Sequence, residues 1–144
     1  MHVDGASKGN PVLAESGGVL LDYSGKIVLN FSWGLGQNTN NIAEILAIWK
    51  GMTQARRLSI KKLAIIGDSR IIIQALKQKK APNNMGLSHY HRKVIAQMKD
   101  FEEVNFYHVL RNLNHMADHE ANVGASLSKE VIFINGIENH EPIP

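Results

Sequence analysis

The chain has 144 residues, enough for one domain of ordinary size and too few for two. Hydrophobic residues make up 44% and charged residues 20%, which excludes disorder as the main state. With 16 Lys and Arg against 13 Asp and Glu, the net charge of +3 excludes bulk-charge binding of the histone-tail kind and leaves room for a local basic patch. No cysteine is present, so disulfides and thiolate metal sites are excluded. No apolar run approaches the ~20 residues that a membrane span needs. No basic-then-apolar signal segment opens the chain, and an intracellular location is the default expectation.

In chain order, residues 1–4 predict the end of a first strand, with Asp4 at its tip, and residues 5–11 a Gly-rich turn. Residues 17–36 read as a hairpin: an apolar run at 18–21, a turn through Asp22, Tyr23, Ser24, Gly25 and Lys26, and a second strand from Ile27 to Trp33. Thr39 or Asn40 is a plausible N-cap for a helix carrying Ala43, Leu46, Ala47 and Ala55 at helical spacing and ending near Leu58. Residues 62–67 form a continuous apolar run, as a buried strand would. Ser69 opens a second helix to about Lys79, and a third runs from about Leu87 to Phe101. Residues 104–109 alternate like a strand, and a last helix is expected from about Leu113 to Ser128. Three strands followed by helices alternating with strands make an α/β domain over residues 1–128 with a mixed sheet. Residues 129–144 form a C-terminal tail whose stretch from Glu130 to Ile134 has β-propensity, suited to packing on the domain or pairing with a second copy.

Four acids fall at element ends or near helix starts. Asp4 and Asp68 sit where open α/β sheets place ligands, at the carboxyl ends of strands. Glu44 interrupts the apolar stretch of Ile42, Ala43, Ile45, Leu46 and Ala47, so it faces either solvent or a charge that satisfies it. Asp118 has the same character beside Asn114, His115, Met116 and Ala117. Singly, each acid has an ordinary role: Asp68 and Ser69 as a helix cap, Glu44 as a surface residue, Asp118 as a favourable charge near a helix N-terminus. Only a fold can bring the four together. If they converge, hard divalent cations such as Mg²⁺ suit them, and two such ions ~4 Å apart suit phosphoryl hydrolysis. Without metal they would repel one another and raise their own pKa values.

These residues also carry a resemblance. Asp4-Gly5-Ala6-Ser7, Gly9-Asn10-Pro11 and Gly17-Gly18 resemble the opening of the ribonuclease H family. Thr39-Asn40-Asn41 with Ala43-Glu44 resembles its second motif, Gly67-Asp68-Ser69 its third, and Asn114 with Ala117-Asp118 its fourth. The pattern is most similar to the ribonuclease H-like domains abundant in plants and related to those of retroelement reverse transcriptases, over roughly residues 3–127. The resemblance implies a five-stranded mixed sheet, its first three strands antiparallel, with helices on both faces. It implies endonucleolytic hydrolysis of the RNA strand of an RNA·DNA hybrid by a two-metal mechanism with Mg²⁺ or Mn²⁺. By position, Asp4, Glu44, Asp68 and Asp118 would be the catalytic, metal-binding carboxylates. Gly5, Ala6 and Ser7 would lie along the RNA strand, and Asn10, Asn40 and Asn41 would contact the two strands. Small residues and amides can approach a minor groove closely, and the 2′-hydroxyl distinguishes RNA from DNA there. Thr39 could bind a DNA phosphate as well as cap its helix.

The sequence departs from that pattern in three places. The flexible loop that often carries a His before the fourth acid is short here, which leaves His115 or Arg111 as candidates for an auxiliary role. A basic protruding helix looks absent, though Lys77, Lys79, Lys80, Arg92 and Lys93 could line a smaller basic face. Trp33 and Trp49 could stack on nucleic acid, core packing being the better expectation for Trp49. Asp4 follows only three residues, so the chain is expected to be one piece of a longer protein or polyprotein. The rival expectations are a catalytically idle, retroelement-derived nucleic-acid-binding module and a non-enzymatic protein-interaction domain.

Overall fold

The computed structural model describes residues 1–8, 13–111, 114 and 127–144. Strand β1 spans His2–Lys8, β2 Leu13–Leu21 and β3 Ile27–Gly36. β1 therefore does not end at Asp4, and residues 5–8 are strand rather than turn. Gly5, Ala6 and Ser7 pair in register with Ser16, Glu15 and Ala14. The small residues signal a close approach here, not a bend: a Cβ on Gly5 would run into the backbone of Ala43 and Glu44 on the helix above. The hairpin between β2 and β3 forms where its turn chemistry predicts. Asp22 Oδ1 accepts from Ser24 N, Ser24 Oγ and Lys26 N, and Gly25 takes a φ of +85°.

Helix α1 covers Asn40–Arg57, with Thr39 accepting from Ile42 N at 3.2 Å as its cap. Strand β4 is Lys62–Gly67, α2 Arg70–Lys77, α3 Met85–Met98 and β5 Glu103–His108. Ser69 and Asn84 cap α2 and α3. The chain then adds β6, Val131–Ile134, and β7, Ile137–His140. Among the described residues the sheet is mixed and has seven strands, not five, in the order β5-β4-β1-β2-β3-β6-β7. The first three strands are antiparallel, and β1, β4 and β5 are parallel neighbours. The two extra strands form a hairpin through Asn135 and Gly136, both at positive φ, and β6 pairs with β3. Asn-Gly between two apolar stretches is a strong short-range hairpin signal. Helix α1 lies across β1 and β2, with α3 against it and α2 against β5. The helix expected from about Leu113 to Ser128 falls mostly on residues 115–126, which lie outside the described residues, while Asn114, Leu127 and Ser128 are not helical.

Nearly every residue of α1 from Ile42 to Met52 is buried. Trp33 is 0% exposed and stacks on Trp49 with ring centroids 6.5 Å apart, so it is a core residue and not a surface for bases. Lys50 lies over both rings, at 4.5 and 5.1 Å, and its ammonium meets Glu141 at 3.3 Å. Trp33 Nε1 donates to the Glu141 carbonyl. Glu141 thus anchors residues 129–144 to the core through buried Lys50, with exposed Arg57 3.2 Å from the same carboxylate oxygen. Removing one partner leaves the other charge desolvated and alone. Glu141→Ala is expected to lower stability by about 3 kcal/mol, measured by urea unfolding. A variant within error of the wild type would show that water reaches Lys50.

Candidate active site

β1, α1 and the turn after β4 converge at one end of the sheet. Asp4 sits inside β1 and Glu44 on the second turn of α1, directly over that strand. Asp68 lies between β4 and the cap of α2. One carboxylate oxygen from each of the three falls within 4.8 Å of the others. Asp4 is 0% and Glu44 1% exposed, while Asp68 is partly open to solvent. Glu44 is therefore no surface residue. It points at the sheet because α1 is buried almost all round.

The local sequence makes room for this. Gly5 lets α1 descend onto β1, and Gly67 leaves space for the Glu44 carboxylate, whose Oε2 would lie 3.3 Å from an added Cβ. Ser16 Oγ donates to the Ala43 carbonyl, tying α1 to β2 one residue before Glu44. Glu44 accepts from the Ser69 amide, at 3.0 Å to Oε2 and 3.3 Å to Oε1. Burial pushes its pKa up to about 8, with the charge of Asp68 the next cause and that of Asp4 adding to it. The Ser69 amide pulls the other way and does not offset them. Gly5→Ala is expected to cost about 3 kcal/mol, because the conflict is with backbone that cannot rotate away. It should also lift Glu44 from Asp4, and a thermal melt with metal titration would register both losses.

Thr39 is occupied as a helix cap, Asn40 is exposed, and Asn41 accepts from Ser69 Oγ at 3.0 Å. Asn41 is thereby fixed beside the Asp68 turn. Gly5 and Ala6 are buried, and Ser7 Oγ donates to the Asn38 carbonyl at 2.9 Å. Arg111 is largely exposed and brings Nε to 4.0 Å from Asp68 Oδ2. Lys77, Lys79, Lys80 and Arg92 are exposed and Lys93 is half-buried. Asn10, His115 and Asp118 lie outside the described residues. Two side chains acquire a place that the sequence alone does not assign. His108 Nε2 donates to the Asp68 carbonyl at 3.2 Å. Asn114 Nδ2 donates to the Val3 carbonyl at 2.8 Å, and its Oδ1 lies 3.2 Å from His2 Nδ1. His108 follows from strand register, because it pairs with Gly67 at the end of β5. Asn114 is part of the fourth motif, but only the fold brings it to β1.

A reverse transcriptase-like family model matches residues 2–124. An Arabidopsis thaliana protein assigned to ribonuclease H is 33% identical over 128 residues, which cover 89% of this chain and 20% of that protein. Ribonuclease HI of Halobacterium salinarum is 31% identical over 121 residues, 84% of this chain and 61% of that enzyme. The crystal structure of RNase H1 from the same archaeon superposes with a TM-score of 0.79 at 30% identity, covering 85% of this chain and 92% of that one. The N-terminal RNase H domain of Rv2228c from Mycobacterium tuberculosis gives 0.81 at 26% identity, over 86% and 90%. This chain spans from a fifth to about three fifths of the length of these curated relatives from Arabidopsis and Halobacterium. The family match over residues 2–124 and the superposition on RNase H1 agree with the convergence of three motif acids: the chain belongs to the reverse transcriptase-like family of ribonuclease H domains.

Proposed function

We propose that this chain is a divalent-metal-dependent endonuclease that hydrolyses the RNA strand of RNA·DNA hybrids. The observation that carries this reading is the approach of Asp4, Glu44 and Asp68 to within 4.8 Å of one another, two of them buried. Such a cluster is costly unless a cation neutralises it, and its donors are all oxygen, which suits Mg²⁺ or Mn²⁺. Asp4, Glu44 and Asp68 would hold the metal, with Asp118 as the fourth acid by motif position. When bound, two such ions supply charge stabilisation at the phosphate and favour deprotonation of the attacking water.

The chain's own groups do the positioning. The Ser69 amide orients Glu44, and Ser69 Oγ turns Asn41 toward the same turn. Asn40 and Asn41, with Asn10 by motif, are the amides that reach into the minor groove, and the backbone of Gly5, Ala6 and Ser7 follows the RNA strand. Thr39 contacts a DNA phosphate in addition to capping α1. Arg111, exposed beside Asp68, is placed to attract a phosphate and is the auxiliary cation of the site. The chain acts as a domain of a larger protein, as the RNase H domain at the N-terminus of Rv2228c does.

A panel of same-sequence substrates tests the reading. Cleavage of the RNA strand in a hybrid, with double-stranded RNA and double-stranded DNA left intact, is the expected result. Binding of the hybrid in Mn²⁺ without any cleavage would instead make the chain an idle binding module.

A further inference from the structure

We propose that Asn114 is a positioning residue for Asp4, its side-chain amide standing in for a missing strand. The parallel pairing of β1 with β4 is short. Its single paired position is His2 with Ile66, and the Ile66 amide donates to the Met1 carbonyl. Alternate carbonyls of a strand point to the same neighbour, so the next one facing β4 is that of Val3. In a continued ladder its donor would come from residue 68. There β4 has already ended, and the chain turns through Asp68 into the cap of α2. This splay between β1 and β4 opens the space in which Asp4, Glu44 and Asp68 meet. It also strips a buried carbonyl of its ladder partner, which would be costly if nothing replaced it.

Asn114 replaces it. Its Nδ2 donates to the Val3 carbonyl at 2.8 Å, and the side chain is 1% exposed. The carbonyl belongs to the peptide that joins Val3 to Asp4, so the bond fixes the plane from which the Asp4 side chain departs. The other end of the amide is held as well, with Oδ1 3.2 Å from His2 Nδ1. His108, Val109 and Asn114 between them reach both strands. His108 Nε2 and the Val109 amide donate to the Asp68 and Gly67 carbonyls, and Asn114 closes on β1. These three residues thus set the gap between Asp4 and Asp68. Groups that orient metal ligands in this way typically change metal affinity or activity by ~10–100-fold when removed.

The inference rests on the metal-site reading above, and its test separates the two. Three proteins are compared in full length: wild type, Asn114→Ala, and Ile132→Val as a core control on the distant strand β6. Asn114→Gln, which keeps the amide one methylene further out, stands in if Asn114→Ala does not fold. Amide hydrogen exchange of the metal-free proteins should rise at residues 3–5 in the Asn114 variant and not in the β2–β3 pair. Mn²⁺ affinity, titrated without nucleic acid, should fall by ~10–100-fold, and kcat on a hybrid by a similar factor with KM unchanged. The Ile132 control should lose melting temperature without losing Mn²⁺ affinity. Wild-type exchange at residues 3–5 together with wild-type Mn²⁺ affinity in the Asn114 variant would overturn the proposal. So would an affinity loss in the control matching that of the Asn114 variant. A wild type that binds no Mn²⁺ would defeat the metal-site reading, and the exchange comparison would still decide whether Asn114 fixes β1.

Discussion

Asp68→Asn is expected to abolish hybrid cleavage while making the metal-free protein more stable. The two effects have one cause. Asp68 is the most solvent-accessible of three acids whose oxygens lie within 4.8 Å, and its charge is the largest charge effect on Glu44. Replacing it with a neutral amide removes that repulsion and lets Glu44 relax toward its ordinary range. A rise of a few degrees in the metal-free melting midpoint follows. The only ion pair lost among the described residues is the 4.0 Å contact with Arg111, which is largely exposed and worth little. Activity moves the other way, because a bound divalent ion supplies several kcal/mol at the transition state. Each ~1.4 kcal/mol is tenfold in rate, so a loss of at least roughly 10³-fold is expected. A structural role for Asp68 predicts the reverse on stability, and parallel melts and cleavage assays separate the two. Hybrid binding in the variant should persist, since the groups assigned to the groove are elsewhere.

The second large effect is in the pH dependence of the metal-free protein. Glu44 has its pKa pushed from 4.5 to about 8, so the folded state holds that proton more tightly than the unfolded chain does. Its favourable contribution is fully present below about pH 4.5, where both states are protonated. As pH rises the unfolded chain ionises freely while the folded carboxyl resists, and the contribution is lost progressively up to about pH 8. At ~1.4 kcal/mol per unit this amounts to a few kcal/mol at most. Glu44→Gln removes the titration, so its unfolding free energy should be flatter than that of the wild type across this window. Metal binding must expel the proton, so Mn²⁺ should stabilise the wild type more at pH 8 than at pH 6. Urea unfolding at intervals from pH 5 to 8.5, with and without Mn²⁺, checks both. Parallel curves for wild type and Glu44→Gln would mean that Glu44 is ionised without metal.

The sequence showed the site better than it showed the strands around it. Asp4, Glu44 and Asp68 each have an ordinary role when read singly, and they were readable as a set only because each stands in a motif of the ribonuclease H resemblance. Helix caps at Thr39 and Ser69 and the turn at Asp22 were readable because their chemistry is local. The length of β1 was not. Gly5, Ala6 and Ser7 carry turn composition, and what makes them strand is the descent of α1 onto Gly5, a contact between distant parts of the chain. The strands β6 and β7 carried a local signal in Asn135-Gly136, but their attachment to β3 depends on Lys50, Trp33 and Glu141 meeting across the core. Trp33 misled for a related reason, because an aromatic residue in a strand can face either side until its partner Trp49 is placed. Asn114 was visible as motif and silent as mechanism, since nothing near it in sequence reveals that β4 ends one amide donor too early for the Val3 carbonyl.

Asp4, Glu44 and Asp68 are proposed to hold together a divalent ion that serves RNA hydrolysis. The most direct measurement is a cleavage time course on a hybrid labelled on its RNA strand, using protein stripped with a chelator and then given Mg²⁺ or Mn²⁺. Internal RNA cuts are expected to appear only after metal is restored, to leave 3′-hydroxyl and 5′-phosphate ends, and to vanish in Asp68→Asn. Cutting that survives either the chelator or Asp68→Asn, or an intact RNA strand in the metal-restored wild type, would contradict the proposal.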